Sequence, residues 1–256
     1  MKAIMYHYVR DGTSRPPYGY YHLDLDDFRA QLDYFESEYG FVEKEAFMKC
    51  MRGEGPVPNG VVLTFDDGLI DHYEWVLPEL LSRDLWGIFY VPTGPLQHGD
   101  VLDVHRIHSL IGAVGGKQLL NVLNELITEE MIPDRKVDEF HESTYHNQSS
   151  AESVSTVKRI LNYFISYDYR EDIIDRLEDH FPDSRAAVSE LYMNEDQIAT
   201  LQERGMVVGS HTVTHKVLSK INKSEQYDEI HRSFDYLDEI VGGLSDLTFC
   251  YSYGGD

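Results

Sequence analysis

Apolar residues gather in short runs, each closed by polar or glycine-rich punctuation: Ala3–Tyr8, Val61–Phe65, Gly87–Val91, Met206–Gly209 and Leu247–Tyr251. Their length and their content of Val, Ile, Phe and Tyr predict buried strands. Between them the apolar spacing changes to three and four. Leu25, Phe28, Leu32 and Phe35 predict a helix, with Asp24 as its N-cap and Gly40 as its stop. A second helix is expected from about Asp71 to Ser82, where Pro78 forces a kink or a restart. A third starts at Asn194, with Gln197 in capping-box position, and ends at Gly205. A fourth carries Ile230, Phe234, Leu237 and Val241. Strands alternating with helices imply parallel β/α units, and so an α/β fold class.

The stretch from about Gln97 to Ser189 follows another rule. It shows helical patterns at Ile107–Val114, Leu119–Ile127, Val154–Ile165 and Ile173–Phe181, with no strand among them. It reads as a helical insertion, at about 97–189, in one domain spanning 1–256. The serine-rich piece Asn147–Ser155 reads as a mobile loop.

Composition adds exclusions more than identity. A chain of 256 residues with 42% hydrophobic and 26% charged residues can bury a sizeable core. The formal net charge of -23, from 45 acidic against 22 basic residues, repels nucleic acid. It argues more weakly against docking on an anionic membrane. Cys50 and Cys250 suggest no disulfide framework. No run approaches the ~18 apolar residues of a membrane span. The opening MKAIMYHYVR lacks the features of a signal peptide, so the expected location is cytoplasmic. Oligomeric state is left open.

Two motifs carry chemistry. Thr64-Phe65-Asp66-Asp67-Gly68 ends the second apolar run. Taken alone, Asp-Asp-Gly is more often a solvated turn. At the end of a buried strand, however, adjacent carboxylates repel and need a counter-charge or a metal. Ser210-His211-Thr212-Val213-Thr214-His215 follows the fourth run. If the chain turns helical there, His211 and His215 share one face, a workable two-nitrogen ligand set. His72, His105 and His108 have no such partner and read as surface or ordinary hydrogen-bonded side chains. His7, at the end of the first run, reads equally well as a pocket residue or a structural one.

Together the motifs say more. In a parallel β/α fold, strand ends share one face, where sites form. Two His and one Asp leave coordination positions open. An ion such as zinc with an open position brings the pKa of a bound water down to about 7. The spare carboxylate, Asp66, is placed to take that water's proton.

These residues resemble the polysaccharide deacetylase family, also called carbohydrate esterase family 4. Its Thr-Phe-Asp-Asp-Gly motif is intact, and His211-Thr212-Val213-Thr214-His215 fits its His-(Ser/Thr)-x-x-His. Met5-Tyr6-His7, Phe89-Tyr90-Val91-Pro92-Thr93-Gly94 and Gly209-Ser210 match flanking text. The resemblance implies a distorted (β/α) barrel and metal-dependent removal of an acetyl group from an N-acetylated, less often O-acetylated, sugar or saccharide precursor. It implies Asp66 as general base, Asp67, His211 and His215 as ligands to a divalent metal, most commonly zinc, and the backbone N–H of Tyr253 as oxyanion donor.

Two departures stand out. The family's third motif, Arg-x-Pro-Tyr-Gly, reads Cys250-Tyr251-Ser252-Tyr253-Gly254 here, so Asp66 loses its usual Arg partner. The later motifs, with a histidine general acid, do not occur before Asp256. About five strands are expected where the family has more, and a chain that continues further is the favoured explanation. The changed third motif keeps open a small non-sugar amide as substrate. The missing acid keeps open a non-catalytic carbohydrate-binding relative.

Overall fold

The computed structural model describes residues 1–11, 20–133, 136, 150–244 and 246–253. They fall into two compact units. The first comprises Met1–Arg15, His22–Asp100 and Val188–Asp256; the second comprises Pro16–Tyr21 and Val101–Ala187.

The first unit is built on four parallel strands. They are β1 (Lys2–Tyr6), β4 (Val61–Asp66), β5 (Ile88–Val91) and β6 (Val207–Ser210), in the sheet order β1-β4-β5-β6. Two-residue strands β2 (Val9–Arg10) and β3 (Leu23–Asp24) pair beside them, also in parallel. The α/β class read from the alternating pattern is therefore correct.

The apolar runs are continuous because both faces of the sheet are covered, as parallel sheets require. On one face Val61, Leu63 and Phe65 join Phe89, Val91 and Val208, and pack on Leu25, Phe28 and Leu32 of the Leu25–Glu38 helix. On the other, Val62, Ile88 and Val207 pack on Phe47 and Met48 of the Lys44–Met51 helix. Register aligns Tyr6 with Phe65 and Phe65 with Phe89. Their rings stack at 5.6 and 4.8 Å between centroids. The same register sets Asp66 beside Tyr90 and Val91 beside Ser210. The two chemical motifs thus leave the sheet at one edge.

Helix boundaries follow local chemistry. The Asp24 side chain caps the first helix, and Gly40 takes a left-handed φ of 66° after it. Asn194 and Gln197 form a reciprocal capping box at the Glu195–Glu203 helix. Pro78 produces a restart: a wider, π-type turn over His72–Val76 gives way to a regular helix over Leu77–Ser82, with the proline in its first turn. The long Lys223–Val241 helix starts at a second capping box, Asn222 with Glu225.

Three expectations need correction. Leu247–Tyr251 is not a strand; one parallel bridge, Ser210 to Phe249, is what forms there. Leu247 and Tyr251 are 73% and 67% exposed, so the run lacks the burial that would make it a full strand. His211–His215 is not helical, as described below. Within Asn147–Ser155, residues from Ser150 onward open a helix over Ser150–Arg159, while 147–149 lie outside the described residues. The Lys44–Met51 helix, β2 and β3 are too short to register as periodic patterns.

Among its described residues the second unit is helical, with segments at Asp103–Val114, Gly116–Leu126, Ser150–Arg159 and Tyr167–His180. Ile107, Leu110, Leu119, Leu123, Ile160, Ile173 and Leu177 form its own core. Gly116 permits a close crossing, since a Cβ there would meet Val154 at 2.6 Å. Buried Arg170 is held by Asn162 Oδ1 at 2.9 Å.

Candidate metal centre

Asp66 ends β4, and the chain then turns sharply through left-handed backbone at Asp67 (φ 80°) and Gly68 (φ 62°). A Cβ on Gly68 would meet Val91 Cγ1 at 3.1 Å, so glycine suits both the angle and the space. The Gly68 carbonyl accepts a hydrogen bond from Met193 N at 3.0 Å, which ties the turn to the segment before the Glu195–Glu203 helix.

The histidine motif leaves β6 as a tight loop. Thr212 (φ 69°) and His215 (φ 57°) both take left-handed backbone without being glycine. Such residues cost ~1–3 kcal/mol each and need surroundings that over-determine them. Main-chain bonds supply part of this: Thr93 N and Gly94 N donate to the carbonyls of Thr212 and Val213 at 3.1 and 2.8 Å. The loop, not a helical face, brings the two imidazoles together, with ring centroids 4.8 Å apart.

Asp67, His211 and His215 each offer one ligand atom, and these atoms lie within 4.8 Å of one another. Asp67 Oδ1 is 3.4 Å from His211 Nε2 and 3.1 Å from His215 Nε2. All three residues are buried, at 2%, 1% and 5% exposure. His211 Nδ1 donates to the Cys250 carbonyl at 2.9 Å, so Nε2 is the nitrogen that faces the cluster. The donor set is one carboxylate and two imidazoles, and it suits a divalent ion of the zinc kind.

The electrostatics agree. Burial disfavours a charged His211, yet Asp67, Cys250 and Asp66 beside it outweigh burial and raise its pKa to about 10. The pocket is one in which positive charge is stabilised. At Asp66 burial raises the pKa, while His211 and His7 pull it down. Asp66 Oδ1 is buried without a hydrogen-bond partner among the described residues.

The other expected site residues are also close. The Tyr253 ring stands edge-on to His215, 5.0 Å between centroids. His7 Nε2 is 3.8 Å from Asp67 Oδ2, so His7 lines the site. His72 is fully buried with its Nε2 2.9 Å from the His7 carbonyl, and His105 and His108 are buried too, so none of the three is a surface residue. Glu229 and Ser233, which no motif singled out, also reach the histidine loop and the end of its strand from the Lys223–Val241 helix. Their spacing of four on one helix face was the available signal.

Residues 175–255 match the family model described as polysaccharide deacetylase. No curated protein matches the chain. Among solved structures, the deacetylase PplD of Streptococcus pyogenes, determined with acetate, superposes with a TM-score of 0.55 at 19% identity, covering 99% of this chain and 74% of that one. IcaB from Ammonifex degensii gives 0.51 at 17% identity, covering 100% and 76%. A de-N-acetylase from Aggregatibacter actinomycetemcomitans gives 0.50 at 14% identity, covering 100% and 80%. The family resemblance drawn from the motifs is borne out, and the fold is that of the deacetylases. No helix among the described residues is long and apolar enough to cross a membrane.

Proposed function

We propose that this chain is a metal-dependent deacetylase that hydrolyses the N-acetyl group of a sugar or saccharide precursor. One observation carries the reading: a buried Asp67–His211–His215 ligand set with a second buried carboxylate, Asp66, next to it in sequence. In this reading residues 1–256 act as one catalytic domain, with 97–189 as its insertion.

Asp67, His211 and His215 would hold the ion, with zinc favoured by the donor set. Bound there, a divalent ion polarises the acetyl carbonyl and makes water acidic enough to react near neutral pH. Asp66 accepts the proton of the attacking water. The Tyr253 backbone N–H donates to the oxygen that gains charge as the carbon becomes tetrahedral. His7, directly after β1, lines the same centre and is assigned a hydrogen bond to the leaving-group nitrogen. On collapse the C–N bond breaks and the proton held by Asp66 passes to the departing nitrogen, which yields acetate and a free amine.

One observation supports a second reading. Cys250 and Ser252 stand where the resemblance expects Arg and Pro, and Cys250 lies against Asp66, which supports a substrate outside the family's sugars, such as a small non-sugar amide. The deciding experiment measures acetate released from N-acetylglucosamine oligomers and amine released from a panel of simple amides, using protein of known metal content. The sugar reading expects zinc-dependent acetate release that chelation abolishes. Turnover confined to the non-sugar amides, or zinc-loaded protein inert on every acetylated sugar, would overturn it.

A further inference from the structure

The loop that carries both histidines holds two left-handed non-glycine residues, Thr212 and His215. Its shape therefore has to be imposed from outside. Four consecutive backbone N–H groups show how. Thr212 N donates to Ser210 Oγ at 3.3 Å. Val213 N and Thr214 N both donate to Glu229 Oε2, at 2.9 and 2.8 Å. His215 N donates to Thr212 Oγ1 at 3.0 Å. The Thr214 hydroxyl donates to the other Glu229 oxygen, Oε1, at 2.6 Å. Successive N–H groups converging on one carboxylate oxygen form an anion-binding concavity, and Glu229 is its built-in anion.

One turn further along the same helix, Ser233 is fully buried and hydrogen-bonds Ser210 Oγ, the acceptor of the Thr212 N–H. Residues four apart share a helix face. A single face of the Lys223–Val241 helix thus grips the loop at two points, while Leu237, another turn on, anchors that face in the sheet core. The contacts span 15 and 16 positions for Glu229 and 23 for Ser233, so they couple a helix to the loop it follows.

We propose that Glu229 and Ser233 are positioning residues that preset the His211–His215 loop for metal binding; this rests on the metal-centre reading above. Their oxygens satisfy the strained loop before an ion arrives, so less reorganisation is needed to bring both imidazoles to Asp67. The geometry separates reach from charge. A Gln at 229 keeps one carbonyl oxygen for the two N–H groups and turns its amide toward the Thr214 hydroxyl, which can accept. An Asp keeps the charge but falls short by one methylene.

The test is zinc affinity of the purified full chain, measured by competition with a chromogenic chelator, with no substrate present. Outer partners of metal ligands change affinity ~10–100-fold when removed. Glu229→Ala and Glu229→Asp are expected to weaken zinc binding by about that factor, and Glu229→Gln by less than ~3-fold. Ser233→Ala should give a smaller loss than Glu229→Ala. Circular dichroism of metal-free protein checks folding; if Glu229→Ala does not fold, Glu229→Asp decides. At saturating zinc, Glu229→Asp should regain most of its kcat, which a collapsed site would not. Wild-type zinc affinity in Glu229→Asp overturns the proposal, as does a Gln variant as weak as Ala. Wild-type protein that binds no zinc overturns the metal-centre reading itself, a different and separately visible outcome.

Discussion

Cys250 Sγ lies 3.4 Å from Asp66 Oδ2, and its carbonyl accepts the Nδ1–H of His211 at 2.9 Å. One residue thus touches both the proposed base and a proposed ligand. Where the resemblance expects an arginine, Asp66 meets a neutral, weak donor. Burial also pushes the thiol up, ahead of the opposing effect of His211, which keeps it protonated and donating. Cys250→Ala removes the thiol but keeps the carbonyl. A neutral hydrogen bond contributes ~0.5–1.5 kcal/mol, so kcat should fall about 2–10-fold with zinc content unchanged. Cys250→Ser should lie between the two. Steady-state kinetics beside elemental analysis checks this; loss of zinc in Cys250→Ala would mean that the residue serves the ligand rather than the base.

The division of labour between adjacent aspartates is equally testable. Asp66→Asn should retain zinc and lower kcat by ~10²–10⁴, the usual contribution of a general base. Asp67→Ala and His215→Ala should lose zinc and, with it, activity. Metal stoichiometry by mass spectrometry separates these outcomes. An Asp66→Asn variant that turns over at the wild-type rate would remove Asp66 from the reaction.

Much of the first unit was legible because its signals are local. Val61–Phe65 is apolar without alternation since both faces of β4 are covered, and the Asn194–Gln197 capping box needs only four residues to be read. The meeting of Asp67 with two histidines was foreseeable because both motifs follow strands that end at one edge. How they meet was hidden. No glycine marks the left-handed turns at Thr212 and His215, and a His-x-x-x-His spacing is the same for a helix and for this loop. Cys250 and Asp66 touch across 184 positions, a contact that no local pattern encodes. Leu247–Tyr251 has strand composition, but with its end residues exposed, composition alone does not build a ladder.

Gly209 shows how tightly the sheet edge is packed beneath the histidine loop. A Cβ there would lie 2.4 Å from Thr248 Oγ1 and 2.8 Å from the Tyr90 ring. Both neighbours must move to admit it, and Tyr90 is pinned in register between Asp66 and Gly209. Overpacking of this kind costs ~1–3 kcal/mol. Gly209→Ala should lower the denaturant midpoint accordingly, and zinc affinity should drop because His211 begins two residues later. A variant as stable as wild type would show that Tyr90 and Thr248 yield freely.

Asp71 and His72 are buried neighbours whose titrations oppose each other. Burial lowers His72 to about 4 from 6.5, only partly countered by the His7 carbonyl. Burial raises Asp71 to about 6 from 3.8, against the pull of Arg10, whose Nε lies 2.7 Å from it. For His72, the unfolded chain takes up a proton at 6.5 while the folded one resists, so its stability contribution is present above 6.5 and is lost as pH falls toward 4. For Asp71, the folded chain takes up the proton first, so stability is regained as pH falls from 6 toward 3.8. Each effect is on the order of 3 kcal/mol, and between pH 6 and 4 they largely offset. Removing one should expose the other. His72→Gln, which keeps a donor for the His7 carbonyl, should gain stability relative to wild type as pH falls through this window. Asp71→Asn, though destabilised overall by the stranded Arg10, should lose stability more steeply than wild type over the same window. Urea unfolding at half-unit steps from pH 7 to 4.5 reads both slopes. Parallel curves for all three proteins would mean that neither group titrates differently on folding.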